Sequence, residues 1–94
     1  MSLARVVTFE NVDRAQIEKV TRQVREDPRP DDIPASEFVM LHDPDSDTAL
    51  VIVFFDDEDS YRRGDTALNA MPADETPGRR TSVARYRVVG RMTA

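Results

Sequence analysis

The segment Thr48–Phe55 contains the clearest pattern in the chain, an unbroken run of seven apolar residues from Ala49 to Phe55. A strand with one face in water alternates apolar and polar residues, so an unbroken run indicates that both faces are covered. A buried turn of helix would have a similar length. The β-branched and aromatic content, together with acidic turn residues on both sides, favours a strand. The pattern therefore predicts the central strand of a sheet.

Weaker periodic patterns predict five further elements. They are a strand Leu3–Phe9, a helix from Asp13 to near Glu26, a strand Ser36–His42, a helix with Tyr61, Gly64, Leu68 and Met71 on its buried stripe, and a strand Thr81–Met92. Prolines predict loops at Asp27–Pro34 and Pro72–Arg80. The order β-α-β-β-α-β predicts an α+β, ferredoxin-like fold with an antiparallel sheet in the order 4-1-3-2 and both helices on one face. Gly64 is unfavourable inside a helix, and close approach of helix to sheet is its expected reason.

The second face of the central strand also needs a cover. The two helices occupy one face of the sheet, and no other segment of the chain remains for the opposite face. A second copy of the chain is the simplest cover, so we expect a homodimer in which two sheets pack face to face. In this arrangement Val53 and Ile52 lie on opposite faces, one towards the helices and one towards the partner.

Composition narrows the possible functions. The length of 94 residues predicts a single domain over residues 1–94, and the lack of cysteine excludes disulfides, thiolate nucleophiles and thiolate metal sites. A net charge of −5 argues against a nucleic-acid-binding protein. The N-terminus lacks the apolar segment of a signal peptide, and no apolar run is long enough to cross a membrane. A cytoplasmic location without membrane contact is therefore expected.

Several segments together resemble a known superfamily. They are Ala-Arg-Val-Val-Thr-Phe-Glu (4–10), Ala-Leu-Val-Ile-Val-Phe-Phe (49–55), Ala-Leu-Asn-Ala-Met (67–71), and Glu75–Val83 with Tyr86. This pattern is similar to small bacterial proteins of the dimeric α/β-barrel superfamily, in particular the antibiotic-biosynthesis-monooxygenase-like group. The resemblance spans nearly the whole chain and implies a homodimer with a cavity inside the barrel or between sheet and helices. Haem-degrading members use an Asn, a His and a Trp. This chain has no Trp and its one His falls in a different element, so that activity is not carried over.

His42, Tyr61 and Tyr86 are the candidate proton-transfer residues. His42 is the one histidine, and its neighbour Asp43 would suit a tuned general base. A histidine at the end of a strand, near solvent and without convergent partners, is the alternative interpretation. A tyrosine can donate a proton or bind a carbonyl oxygen. Both tyrosines fall on predicted core stripes, which favours a packing role for them.

Two acidic segments bear on metal binding. Asp43-x-Asp45-x-Asp47 matches the start of an EF-hand loop, but Thr48 replaces the required glycine and Phe54 the required glutamate, so an acidic hairpin turn is predicted. Asp56–Asp59 is expected to complement the positive end of a helix dipole. The sequence therefore predicts neither a metal site nor a cofactor.

Arginines form the other candidate site. The last quarter of the chain, from Thr76, holds five arginines and no acid. Arg85, Arg87 and Arg91 share one face of the last strand, and Arg5 lies on the strand expected beside it. If Tyr86 faces the helices, these arginines point towards the second copy.

Their charge then has to be compensated in one of two ways. Acids of the partner chain, such as Glu37 or Glu10, are the expected partners. The alternative is a small anionic ligand held by the guanidinium groups.

These observations predict a small homodimeric module that binds a small ligand or a partner without catalysis. The alternative is a cofactor-free monooxygenase-like enzyme acting on a small aromatic or polyketide-like substrate in the barrel cavity. In either case the ligand is expected to be small and anionic or aromatic. The residues predicted to bind it are Arg5, Arg85, Arg87, His42, Tyr61 and Tyr86.

Overall fold

A computed structural model describes residues 2–26, 33–70 and 78–92. The elements are β1 Leu3–Glu10, α1 Arg14–Glu26, β2 Glu37–Asp43, β3 Thr48–Phe55, α2 Glu58–Asn69 and β4 Arg79–Arg87. The predicted order of strands and helices is confirmed, and β3 has the predicted bounds. The predicted loops Asp27–Pro34 and Pro72–Arg80 fall mostly outside the described residues. Of their described parts, Arg79 and Arg80 already belong to β4.

The four strands form one antiparallel sheet in the order β2-β3-β1-β4. This is the predicted order 4-1-3-2 read from the opposite edge, so the α+β, ferredoxin-like arrangement is confirmed. The strand β3 lies inside the sheet, between β2 and β1, as its apolar run predicts. Among the described residues, no helix has the length and apolar character needed to cross a membrane.

The last strand ends earlier than predicted. The sequence predicts a strand to Met92, whereas β4 stops at Arg87. The reason lies in its neighbour, because Arg87 pairs with Leu3, the first residue of β1, and no strand remains beside the following residues. Val88 still donates a hydrogen bond from its backbone N–H to the carbonyl oxygen of Ser2 at 3.0 Å.

Residues 88–92 turn away and cross one end of the sheet. The guanidinium of Arg91 lies 4.4 Å from the ring centroid of Phe54 on β3. It also pairs with Glu37 on β2, with 3.4 Å between Nη1 and Oε2. The chain after β4 therefore covers the Phe54 end of the sheet.

The core lies on the sheet face that carries the helices. Phe55, Val7 and Val53 are its fully buried large side chains, and Tyr61 of α2 packs among them. Gly64 faces the ring of Phe55, and a Cβ at this position would lie 2.5 Å from Phe55 Cζ. The predicted reason for Gly64 is confirmed, because only glycine lets the helix approach the sheet this closely.

The opposite side of the sheet, which we call the open face, is also apolar. It carries Val6, Val39, Leu41, Leu50, Ile52, Phe54, Ala84 and Tyr86. Leu41 is 49% exposed and Tyr86 57% exposed, while Ile52 and Phe54 are half-buried. Val53 faces the helices and Ile52 the open face. Apart from the crossing of residues 88–92, the described residues leave this face uncovered.

Candidate functional site

The structure brings three of the six predicted site residues together, on the helix-covered side of the sheet. Arg5 of β1 pairs with Arg85 of β4 in the strand register, and both point towards α2. Tyr61 of α2 completes the group. Arg87 pairs with Leu3 and shares this side of β4. His42 and Tyr86 lie elsewhere.

The guanidinium of Arg5 is the centre of this group. Arg5 is buried, with 3% of its surface exposed. Its Nε donates to Oδ1 of Asp65 at 2.8 Å, and its Nη2 donates to Oδ1 of Asn69 at 2.9 Å. A buried cation is tolerated only when it is paired and hydrogen-bonded, and α2 supplies both partners. Tyr61, Asp65 and Asn69 follow at spacings of four residues, which places them along one side of the helix.

Asn69 is shared by a second arginine, Arg80. Arg80 Nη1 donates to the same Oδ1 of Asn69 at 2.8 Å. Two guanidinium groups therefore converge on one neutral oxygen. The Nδ2 of Asn69 donates to Asp65 Oδ2 at 3.4 Å, which is a long hydrogen bond.

A bulge in β4 places Arg80 on this side. The register shifts between Thr8 and Phe9, so that Thr8 pairs with Ser82 but Phe9 pairs with Arg80. The extra residue, Thr81, interrupts the alternation of side chains. Strict alternation along the strand predicts Arg80 on the opposite side from Arg85, which is why sequence reasoning missed it.

Arg85 and Tyr61 form the other half of the group. Arg85 Nη2 donates to Glu58 Oε1 at 3.3 Å, and its guanidinium lies 5.2 Å from the centroid of the Tyr61 ring. That ring packs edge-on against Phe55, with 5.4 Å between centroids. Burial raises the pKa of the Tyr61 phenol, and Asp65 raises it further, while Arg5 and Arg85 oppose the shift. The phenol is therefore protonated at neutral pH.

The expected orientation of the arginines is wrong. They were expected to face a second copy of the chain, with Tyr86 towards the helices. The register instead places Tyr86 on the open face and Arg5 with Arg85 under α2. A long guanidinium side chain can reach the carboxylates of α2 from a position at the edge of the core.

The compensating acids also differ from those expected. Asp65 and Glu58 of the same chain neutralise Arg5 and Arg85. Glu37 and Glu10, which were expected to pair across an interface, pair within the chain with Arg91 and Arg79. Within residues 2–26, 33–70 and 78–92, Arg87 makes no ion pair.

His42 stands apart from this group. It lies on β2, at the opposite edge of the sheet from β4, and pairs with Ala49. Its Nε2 is buried and finds no hydrogen-bond partner among the described residues. His42 is half-buried near the end of β2, in keeping with the expected strand-end position near solvent, although its Nε2 is shielded.

The acidic hairpin is a turn, as predicted. Asp43 Oδ1 accepts a hydrogen bond from the backbone N–H of Asp45 at 3.0 Å, and Asp47 has a positive φ of 52°. Hydrogen bonding from the Ser46 side chain, and then from the Asp45 backbone, lowers the pKa of Asp43. In the part of the chain that the structure describes, no group of three or more His, Cys, Asp or Glu residues is arranged to hold a metal ion.

Two open grooves on the described part of the surface lie away from the arginine group. One, of about 590 Å³, lies along α1 and includes Ile17 and Arg22 in its lining. The other, of about 370 Å³, lies at the β2–β3 hairpin, where Leu41, His42 and Leu50 contribute to its wall. Neither of these two grooves is lined by Arg5, Arg80, Arg85 or Tyr61. We call the place where these four side chains and Asn69 meet the seam between α2 and β4.

Comparison with protein-family models and with curated proteins gives no match. Among solved structures, the chain is similar to an antibiotic biosynthesis monooxygenase-like protein from Chloroflexus aurantiacus J-10-fl. The two share 11% sequence identity, with a TM-score of 0.64 over 99% of this chain and 98% of the other. The resemblance inferred from the sequence is thereby confirmed at the level of the fold.

Proposed function

We propose that the protein forms a homodimer through the open face of its sheet and that the dimer works as a non-catalytic binding module. The observation that carries this proposal is the apolar open face itself. Its side chains are half-buried or exposed in a single chain, and the large ones away from the crossing segment include Leu41, Leu50, Ile52 and Tyr86. A contiguous apolar surface of this kind is typical of an interaction site.

A second copy suits this surface better than a different protein. A twofold dimer brings the same patch of both chains together, and an apolar patch can pack against its own copy without opposing like charges. A large apolar side chain gains about 1.5–3 kcal/mol when it is fully buried, and the dimer would bury the same set of side chains twice. Because several of these side chains are already half-buried, each gains less than this, and the total over both chains has to exceed the roughly 4–15 kcal/mol that association costs. The charged pair Arg91–Glu37 lies at the Phe54 end, where the rim of the interface would fall.

The polar groups favour binding over catalysis. Arg5 and Arg85 are hydrogen-bonded to acids of their own chain, and the Tyr61 phenol is held protonated. His42, the natural general base, lies at the opposite edge of the sheet. General acid–base catalysis needs such groups within hydrogen-bond reach of one substrate. Two arginines of β4 have no acid partner among the described residues: Arg80, which donates to the neutral Asn69, and Arg87, and both remain available to bind an anion.

A cofactor-free oxygenase is the second candidate. The similar solved structure is of an antibiotic biosynthesis monooxygenase-like protein. Among the described residues, the Tyr61 phenol near the guanidinium groups of Arg5 and Arg85 is the arrangement that best suits chemistry with oxygen. Oxygen uptake with a panel of polycyclic phenols separates the two candidates. A binding module consumes no oxygen, whereas uptake that is lost in Tyr61→Phe would establish the enzyme.

Sedimentation equilibrium at micromolar concentration tests the dimer. We expect twice the chain mass for the wild type and the mass of one chain for Leu41→Glu, because the substitution places a charge in the interface. Val83→Glu is the matched control. Val83 is similarly exposed, at 42% against 49% for Leu41, and also lies on an edge strand, but on the opposite side of the sheet. A monomeric wild type, or a Leu41→Glu dimer, would refute the proposal.

A further inference from the structure

We propose that the seam between α2 and β4 binds a small organic carboxylate, and that Asn69 Oδ1 holds the place of a ligand carboxylate oxygen. The inference deepens the proposed binding function and names the class of ligand. It starts from the convergence of Arg5 and Arg80 on that single oxygen, at 2.9 and 2.8 Å.

The charge of the seam is unbalanced. Two guanidinium groups meet at Asn69, and Asp65 pairs with that of Arg5, while Arg80 makes no ion pair with any described residue. Nearby, Glu58 offsets Arg85, while Arg87 makes no ion pair within the described residues. Counted over the described residues, the seam therefore carries excess positive charge on a chain whose net charge is −5. Hydrogen bonds from guanidinium to carboxylate are shorter and stronger than those to a neutral amide.

Asn69 can give way to a ligand. It lies in the last turn of α2, is exposed, and its second anchor is the 3.4 Å contact with Asp65. Rotation of its side chain opens the point between the two arginines without moving the backbone. The negative end of the α2 dipole lies close by, but it amounts to about half an elementary charge against two full positive charges.

The surroundings favour a carboxylate that carries an apolar body. Val83 lies on β4 between Arg80 and Arg85, on the same side of the strand, and is 42% exposed. An aromatic or aliphatic group attached to the carboxylate would cover this surface. A planar carboxylate also has the shape of the amide that it would replace.

Thermal unfolding in sodium benzoate tests the inference, with sodium chloride at the same ionic strength as the reference. We expect benzoate to raise the Tm of the wild type along a saturating curve, because a ligand that binds only the folded state stabilises it. Arg80→Gln is expected to weaken the apparent affinity at least tenfold. Asn69→Asp is expected to raise the Tm without ligand and to abolish the response, because the new carboxylate fills the site.

Matched variants and probes complete the test. Arg63→Gln removes an arginine from the exposed side of α2, where it pairs with Asp59, and should keep the full response to benzoate. Acetate should bind more weakly than benzoate. No response to benzoate, an unchanged response in Arg80→Gln, or an equal response to inorganic phosphate would each overturn the inference. The mass of each variant by sedimentation equilibrium separates failure of the carboxylate site from failure of the dimer.

Discussion

Arg5 and Asp65, sixty residues apart in sequence, are joined by a 2.8 Å hydrogen bond between the guanidinium Nε and a carboxylate oxygen. The pair links β1 to α2 beneath the helix, where Arg5 is almost fully buried. A buried ion pair adds little by itself, because desolvation offsets the attraction between the charges. It does make the fold sensitive to loss of one partner, since the other charge is then left without compensation.

We therefore expect Asp65→Ala to lower the free energy of unfolding by roughly 2–3 kcal/mol. The carboxylate is about one-third exposed, so the loss should be smaller than the roughly 3–5 kcal/mol that breaking a fully buried pair costs. Asp65→Asn should cost less, because its amide oxygen can still accept from Arg5. Arg63→Ala, which breaks an exposed pair with Asp59 at 3.5 Å, should cost less than about 1 kcal/mol. Urea denaturation measures all three, and similar losses for Asp65→Ala and Arg63→Ala would contradict the expectation.

Gly64→Ala is expected to destabilise the protein, although alanine is the better helix former. The new methyl group would fall inside van der Waals contact with the ring of Phe55, which is fully buried. Overpacking of this kind costs about 1–3 kcal/mol, while the gain in helix propensity is roughly 1 kcal/mol. Gly90→Ala is the control, because a Cβ there meets nothing within 4 Å. A more stable Gly64→Ala variant in thermal unfolding would show that α2 can move away from the sheet.

Asp57 caps the N-terminus of α2, and its contribution should depend on pH. Its side chain accepts a 2.7 Å hydrogen bond from the backbone N–H of Ser60, and hydrogen bonding from Ser60 lowers the pKa of Asp57. A lowered folded-state pKa stabilises the fold above the unfolded value of about 3.9, and this contribution is lost as the pH falls through the folded-state pKa.

The difference in Tm between the wild type and Asp57→Ala should therefore be constant above about pH 5 and shrink below about pH 4. Asp57→Asn should keep most of the stability at neutral pH, because asparagine is also a good N-cap. The difference in Tm between Asp57→Asn and Asp57→Ala should stay constant over the whole pH range, because neither side chain at position 57 can titrate. Circular dichroism melts from pH 3 to 7 measure both. A Tm difference for Asp57→Ala that persists unchanged to pH 3 would argue against the cap as the cause.

His42→Leu should leave the stability unchanged or increase it. The buried Nε2 of His42 has no hydrogen-bond partner among the described residues, so removing it relieves a desolvated polar atom. Leucine also keeps most of the volume, which avoids a cavity. A loss of about 2 kcal/mol or more in thermal or urea unfolding would mean that the imidazole makes an important contact. Any turnover found for the protein should also survive the substitution.

Local periodicity was enough to predict the order of the elements and the bounds of β3. The end of β4 was missed because it depends on where β1 begins, at Leu3, rather than on the residues of β4 themselves. Val88 continues the apolar alternation of Ala84 and Tyr86 after the neighbouring strand has ended. A sequence pattern reports which residues can form a strand, and pairing determines how many of them do.

The partners of the arginines were missed for a different reason. Glu58, Asp65 and Asn69 read as the exposed side of an amphipathic helix. The available signal was Arg5, a charged residue within an apolar strand and on the same side as Leu3 and Val7. A charge in such a buried position predicts a nearby acid. Asp65 lies one helical turn after Tyr61, on the border of the buried stripe, and is the acid in reach.

The bulge at Thr81 makes the carboxylate seam depend on chain length as much as on composition. Arg80 has an even number, whereas Arg85 and Arg87 have odd ones, and the extra residue alone puts all three on one side of β4. A single insertion or deletion between Arg80 and Arg85 could therefore separate them without altering any charge. Relatives of this chain that keep every arginine could still lack the seam. Others could have acquired it in one step, by the insertion or deletion of a single codon.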